Sequence, residues 1–317
     1  MLKQLGLNFK LGITKEKITS RSGIVIYYEF LKNLNIDSLA DKFMPMPGSN
    51  RGYKPSSFII PLMLMLFSGG RHIEDLKELI EDKAFKELTG LKIPSPSTYG
   101  DWLRRIGKNN GLNGFKKIIL EINKKILSLD KNTEYTLFVD PTMIEANKED
   151  AYMTYLGFKG FRPVVAILNE VPIILFHDFR NGQYHGADLE VLKEIFDIMP
   201  VNKKIKHVSI DSEYYSSEVI KYLYSKNVTF TISSDKTHSM KETIKRIDSW
   251  SIFKTKDDIT TDRSIGESIY CLKNEPFRII VLRWIKEADL FEEDVYCYHV
   301  IATNLDIFER RSNLRIQ

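Results

Sequence analysis

Long apolar runs are nearly absent from this 317-residue chain, and cysteine is scarce. The most apolar stretch, FIIPLMLMLF (58–67), is only ten residues long. A bilayer-spanning helix needs about 20, so this stretch reads as a buried helix, with Pro61 tolerated in its first turn, and no membrane partner is expected. The opening residues MLKQLGLNFKLG have no apolar core of the signal-peptide kind. The two cysteines, Cys271 and Cys297, occur with no Cys/His pairs at zinc-ligand spacing. That excludes a disulfide scaffold and a zinc finger and fits a reducing, cytoplasmic setting. His72, His207 and His299 show no ligand spacing and read as structural. Internal repeats and low-complexity tracts are missing too, so nothing points to an array or a disordered chain.

What is present is a globular composition, 43% apolar and 28% charged, in a chain long enough for two domains. The net charge of +4 is unevenly spread. Residues 1–130 carry 21 Lys and Arg against 13 Asp and Glu, a net of +8, whereas residues 131–317 carry 25 against 29, a net of −4. A basic first part joined to a mildly acidic remainder suits a polyanion-binding module attached to a part that gathers carboxylates, although chance segregation of surface charge gives the same pattern.

Residues 1–130 read as helical. GIVIYYEFLKNLNIDSLADKF is amphipathic, KPSSFIIPLMLMLFSGG is a core helix, and RHIEDLKELIEDKAFKELTG is a surface helix ending at Gly90. LKIPSPSTYGDWLRRIGK follows as a turn rich in capping residues and a short helix that shows Arg104 and Arg105. A helix, a tight turn and a second basic helix suit a helix-turn-helix module, a pair that many all-helical domains also contain. After about residue 133 the periodicity changes. EYTLFVD, RPVVAILN (162–169) and VPIILFHDFR (171–180) read as strands, the last two as a hairpin. A helix at 186–200, the strand HVSID (207–211), a helix at 216–227 and the strand VTFTIS (228–233) complete a β-β-β-α-β-α-β order. Residues 236–300 then alternate short β-like runs with charged turns and read as a β-rich insertion. In the closing IATNLDIFERRSNLRIQ, a last strand leads to Asp306 and Glu309 at capping-box spacing, the start of a helix.

Two of the strands end in aspartate, at Asp140 and Asp211. An aspartate there commonly caps the following turn, and from the strand pattern alone capping is the commoner outcome. If the two strands are neighbours, however, two carboxylates converge, and like charges side by side favour a bound hard cation such as Mg²⁺.

The surrounding blocks favour the second reading. LFVDPTMIEANK, YLGFKGFRPVVAI, FRNGQYHGADLEVL and HVSIDSEYYSSEVIKYLYSKNVTFTIS, with SGGRHIEDLKEL and PSPSTYGDWL ahead of them, resemble the DDE transposases of bacterial insertion sequences. The resemblance runs over almost the whole chain. It implies an α/β, ribonuclease H-like mixed sheet flanked by helices, with an all-helical N-terminal region and a β-rich insertion before the last helix. The domains expected are a DNA-binding region at 1–130, a catalytic core at 131–235, the insertion at 236–300, and a last strand and helix start at 301–317. It further implies that Asp140 and Asp211 are metal-binding, catalytic carboxylates for Mg²⁺ (or Mn²⁺). The partners implied are double-stranded DNA at terminal inverted repeats and, in an intact protein, a second copy in a homodimer, in a bacterial cytoplasm at the nucleoid.

The same family carries a third carboxylate in a Tyr-x-x-Arg-x-x-x-Glu-x-x-x-x-x-x-Lys pattern. On this chain the aromatic falls on Phe308, the arginine on Arg311 and the glutamate position on Arg315. Glu309 lies six positions earlier, about 600° around a helix and so roughly on the opposite face. The expectation is a chain truncated or frameshifted within the last helix, with reduced or no cutting activity. Arg104, Arg105, Lys159, Arg162, Arg180 and Arg311 are the DNA-contacting candidates, with Asn181 and His185 in the same loop as Arg180. Trp250 and Trp284 are candidates for stacking on an unpaired base, or for the core of the insertion. Three readings follow: a metal-dependent transposase, a DNA-binding remnant that cannot cut, and a nuclease or resolvase on the same fold.

Overall fold

The computed structural model describes residues 15–49, 51–184, 189–255, 259–285 and 296–305. They form two compact units, divided between Ile118 and Ile119.

The first unit is helical: α1 (Ser22–Asn33), α2 (Ile36–Phe43), α3 (Ser56–Phe67), α4 (Leu76–Glu81), α5 (Lys83–Thr89), α6 (Pro96–Lys108) and the first half of α7 (Gly111–Leu129). Two segments that read as single helices are each broken once. Asn35 takes a left-handed φ of 59° between α1 and α2, a conformation that asparagine tolerates better than most side chains. Asp82 turns extended between α4 and α5 and its carboxylate accepts the Phe85 amide at 2.8 Å, capping α5. Gly90 ends α5 with a φ of 66°, as expected. Ser95 caps α6 and Pro96 occupies its first position, so the Pro-Ser-Pro-Ser-Thr stretch supplies both the turn and the start of the helix.

Pro61 is not in the first turn of its helix. Counted from Ser56 it is the sixth residue of α3, where a proline cannot donate to the carbonyl of Ser57. The fold answers with Tyr99, whose hydroxyl lies 3.3 Å from the Ser57 carbonyl and donates to the Phe58 carbonyl at 2.9 Å. Tyr99 is fully buried, and Phe58 also stacks on Trp102 at 4.7 Å, so the repaired turn is the centre of this unit's core. Tyr99→Phe should therefore cost about 1–3 kcal/mol, the penalty for buried carbonyls left unsatisfied. A fall in melting temperature would show it, and an unchanged one would mean the carbonyls find other donors.

The second unit is built on one sheet. Its strands are β1 (Glu134–Pro141), β5 (Val164–Leu168), β6 (Ile173–Asp178), β7 (Lys204–Ile210), β8 (Thr229–Ser233), β9 (Ser251–Lys254), β10 (Thr260–Leu272), β11 (Glu275–Ile285) and β12 (Tyr296–Thr303). Their spatial order is β6-β5-β1-β7-β8-β12-β11-β10-β9. β5 and β6 form the expected hairpin, β5 runs antiparallel to β1, and β1, β7 and β8 are mutually parallel. Parallel neighbours need crossovers, and helices α8 (Leu189–Asp197) and α9 (Ser217–Ser225) lie in those connections. Val191, Leu192 and Ile195 of α8 and Val219, Ile220 and Leu223 of α9 bury against the sheet's core. This is the ribonuclease H-like mixed sheet flanked by helices that the resemblance implied and that the β-β-β-α-β-α-β order allowed.

Three features add to the sequence reading. The compact units divide between Ile118 and Ile119, and the second half of α7 belongs to the sheet unit: Leu127 is in its core and the Asn123 amide donates to the Ile174 carbonyl at 2.7 Å. The β-rich residues after 236 extend the main sheet. β12 pairs with β8 and carries β11, β10 and β9 outward, so the insertion lengthens the same sheet. It also contains a helix, α10 (His238–Lys245), capped by Thr237 and buried through Met240 and Ile244. Finally, a small sheet of β2 (Ile144–Glu145), β3 (Tyr152–Met153) and β4 (Lys159–Phe161), ordered β2-β4-β3, fills the connection between β1 and β5.

Candidate active site

Along β1 the side chains of Tyr135, Leu137 and Val139 alternate into the core. Asp140 takes the next outward-facing position near the end of β1, where its carboxylate reaches solvent yet is desolvated in part by its surroundings. On β7 the apolar residues Ile205, Val208 and Ile210 are buried, and the next residue is Asp211. Asp211 leaves the strand in extended conformation, and its carboxylate accepts the Ser212 amide at 2.6 Å, capping a 3₁₀ turn at Ser212–Tyr214. Both readings of this residue thus coexist: it caps, and it stands at a strand end beside another acid. β1 and β7 are hydrogen-bonded parallel neighbours with Val139 opposite Ile210, so Asp140 and Asp211 are the next pair along.

The two carboxylates sense each other. Burial raises the pKa of Asp140, the negative charge of Asp211 raises it further, and a hydrogen bond with Thr142 acts in the opposite direction. A pair of neighbouring carboxylates, one of which ionises at a cost beside the other, is a set of oxygen donors that a hard divalent cation relieves, so these residues fit such an ion. Among the described residues no cluster of three His, Cys, Asp or Glu side chains is placed to hold a metal.

The comparison with protein families decides the affiliation: the model described as transposase DDE domain, group 1, matches residues 5–287. The chain belongs to this DDE transposase family. None of the curated proteins compared matches it.

The other candidate residues of this transposase are placed unequally. Arg104 is exposed on α6 and bonded to Asp101 at 2.6 Å, an ion pair weak enough to exchange for another anion. Arg105 is half-buried on the same helix, and Lys159 is exposed on β4. Arg180 is largely covered, 3.8 Å from Asp178, with its guanidinium 4.4 Å over the ring of Tyr184. Arg162, expected at the surface, is instead 4% exposed and paired with Glu213. Asn181 bridges to Phe161 in the loop after β6. His185, Asp306, Phe308, Glu309, Arg311 and Arg315 lie outside the described residues.

Neither tryptophan is a free platform. The Trp250 indole donates to the Ile247 carbonyl at 2.9 Å, its ring lies 3.8 Å from the Arg283 guanidinium, and Gly266 leaves no room for a side chain against it. Trp284 is half-buried with Arg263 4.9 Å over its ring. His207 is buried between two threonines, as a structural histidine should be. The residues that reading the sequence missed are Thr142, Glu213 and Tyr184. Thr142 follows Asp140 by two positions and Glu213 follows Asp211 by two, so both lie inside quoted motifs; Glu213 is illegible there because its partner Arg162 is 51 positions away.

Proposed function

We propose that this chain acts on the ends of an insertion sequence, binding terminal inverted repeats and cutting and joining DNA by phosphoryl transfer dependent on Mg²⁺ (or Mn²⁺). The observation that carries the reading is the placement of Asp140 and Asp211 on adjacent parallel strand ends, with the pKa of Asp140 raised by burial and by its neighbour. Asp140 and Asp211 would hold the cation. The bound ion would activate the attacking oxygen and stabilise the leaving oxygen of a phosphodiester.

Duplex binding is assigned to residues 1–130, whose net charge of +8 and exposed Arg104 suit phosphate contact, with Arg105 on the same helix. Lys159, Arg180 and Arg311 are proposed to contact the DNA backbone as well; the buried Arg162 is left out of that set. Two copies are proposed to pair the two element ends, at the nucleoid of a bacterial cytoplasm. No helix among the described residues is long and apolar enough to cross a membrane.

One observation favours a second reading: Arg315 stands at the position that the family pattern gives to its third carboxylate. On that reading the chain binds element ends without cutting them. Labelled duplexes spanning the DNA that flanks the gene separate the two. Nicking and strand transfer that appear with Mg²⁺ and vanish with a chelator support the first reading, retained duplex binding without nicking supports the second, and loss of both overturns the assignment to element ends.

A further inference from the structure

Arg162 is among the few charged residues inside the described core, 4% exposed, and its contacts span three segments. Its guanidinium forms an ion pair with Glu213, donates to the Tyr184 carbonyl at 3.0 Å and lies 5.2 Å from the Tyr155 ring. Its own backbone amide donates to the Arg180 carbonyl at 2.7 Å. The next residue, Pro163, accepts the amide of Thr142 at 2.9 Å, and Val164 and Val165 pair with Pro141 and Asp140. Arg162 therefore starts from the segment that borders Asp140. Its partner Glu213 sits two residues past Asp211, in the 3₁₀ turn that Asp211 caps.

We infer that the Arg162–Glu213 pair is a positioning device that sets the Asp211 turn against the Asp140 strand end and so fixes the spacing of the two carboxylates. This rests on the proposed metal role of those carboxylates. The strand ladder alone stops at Val139 opposite Ile210, so beyond that pair the backbone hydrogen bonds of β1 and β7 no longer hold Asp140 and Asp211 together. Arg162 supplies the missing tie. Burial makes the tie rigid, because a guanidinium withdrawn from water keeps a carboxylate partner in one geometry.

The test is Mn²⁺ affinity of the full chain, measured by electron paramagnetic resonance of the free ion, with melting temperature recorded for each variant. Arg162→Met removes a cation near the site, and on charge alone it should tighten Mn²⁺ binding. The positioning role has the opposite sign and predicts a loss of about tenfold or more. Glu213→Gln, which keeps the side chain's size, should weaken binding as well. Arg162→Lys, which can still reach Glu213, should recover part of the loss. A folded Arg162→Met protein that binds Mn²⁺ as tightly as the parent, or more tightly, overturns the inference. If Arg162→Met does not fold, undiminished binding by Glu213→Gln overturns it instead. Parent protein that shows no Mn²⁺ binding sensitive to Asp140→Asn overturns the metal role itself, an outcome distinguishable from the first two.

Discussion

Asp140→Asn and Asp211→Asn should each lower Mg²⁺-dependent cleavage of element ends by about a thousandfold or more, roughly 4 kcal/mol of barrier. The amide keeps the shape of the carboxylate and loses its charge, so the change removes a donor to a dication without opening a cavity. Duplex binding should stay as it was, since neither aspartate is among the cationic residues proposed to contact the DNA backbone. Cleavage that survives either substitution would remove the adjacent aspartates from the chemistry.

The same substitution at Asp140 should stabilise the fold. The folded-state pKa of Asp140 is raised by burial and by Asp211, so the folded protein holds its ionised form at a cost, which eases as pH falls through that raised value. Replacing the carboxylate with an amide removes this cost at neutral pH and should raise the melting temperature. Added Mg²⁺ should raise the melting temperature of the parent and not that of Asp140→Asn, because a ligand stabilises only a state that binds it. Gain of stability with loss of function at one position is the expected mark of a functional acid.

Much of this arrangement was legible locally. Apolar runs bounded by polar turns located β1, β5, β6, β7 and β8, and the Asp at the ends of β1 and β7 marked two strand ends that the fold sets side by side. What the sequence hides is pairing at a distance. Nothing in EYTLFVD says that its neighbour is HVSID rather than VPIILFHD; the parallel register follows from α8 packing its Leu192 and Ile195 on the sheet between them. Arginine is usually a surface charge, and nothing local marks Arg162 otherwise, because its partner Glu213 lies 51 positions away. Helix α10 leaves little trace in the sequence because only Met240 and Ile244 are buried in it, too sparse a stripe to stand out from the β-like runs beyond. Pro61 defies the rule that confines proline to a helix's first turn because Tyr99, from another helix, repairs the turn.

Acid should loosen the strand that carries Asp211. His207 lies on β7, 3% exposed, with Nδ1 2.9 Å from the Thr229 hydroxyl and Nε2 3.2 Å from the Thr231 hydroxyl of β8. Burial lowers its pKa to about 4 from 6.5, with Glu170 acting weakly against it. The ring is therefore neutral in the folded state, while the unfolded chain takes up a proton near pH 6.5. The stability it confers is whole above about 6.5 and is lost as pH falls toward 4, with a ceiling of roughly 3 kcal/mol. For a unit of about 200 residues that is on the order of 10 °C in melting temperature. Asp140 works in the opposite sense over part of this range, so comparison with a variant isolates the histidine. His207→Gln, which can still meet both hydroxyls, should melt with a flatter pH dependence between 6.5 and 4 than the parent. Parallel curves for the two proteins would mean that protonation of His207 is not what the fold resists. A flatter curve in the variant would tie the acid sensitivity of the fold to the β7–β8 pair and, through β7, to the position of Asp211.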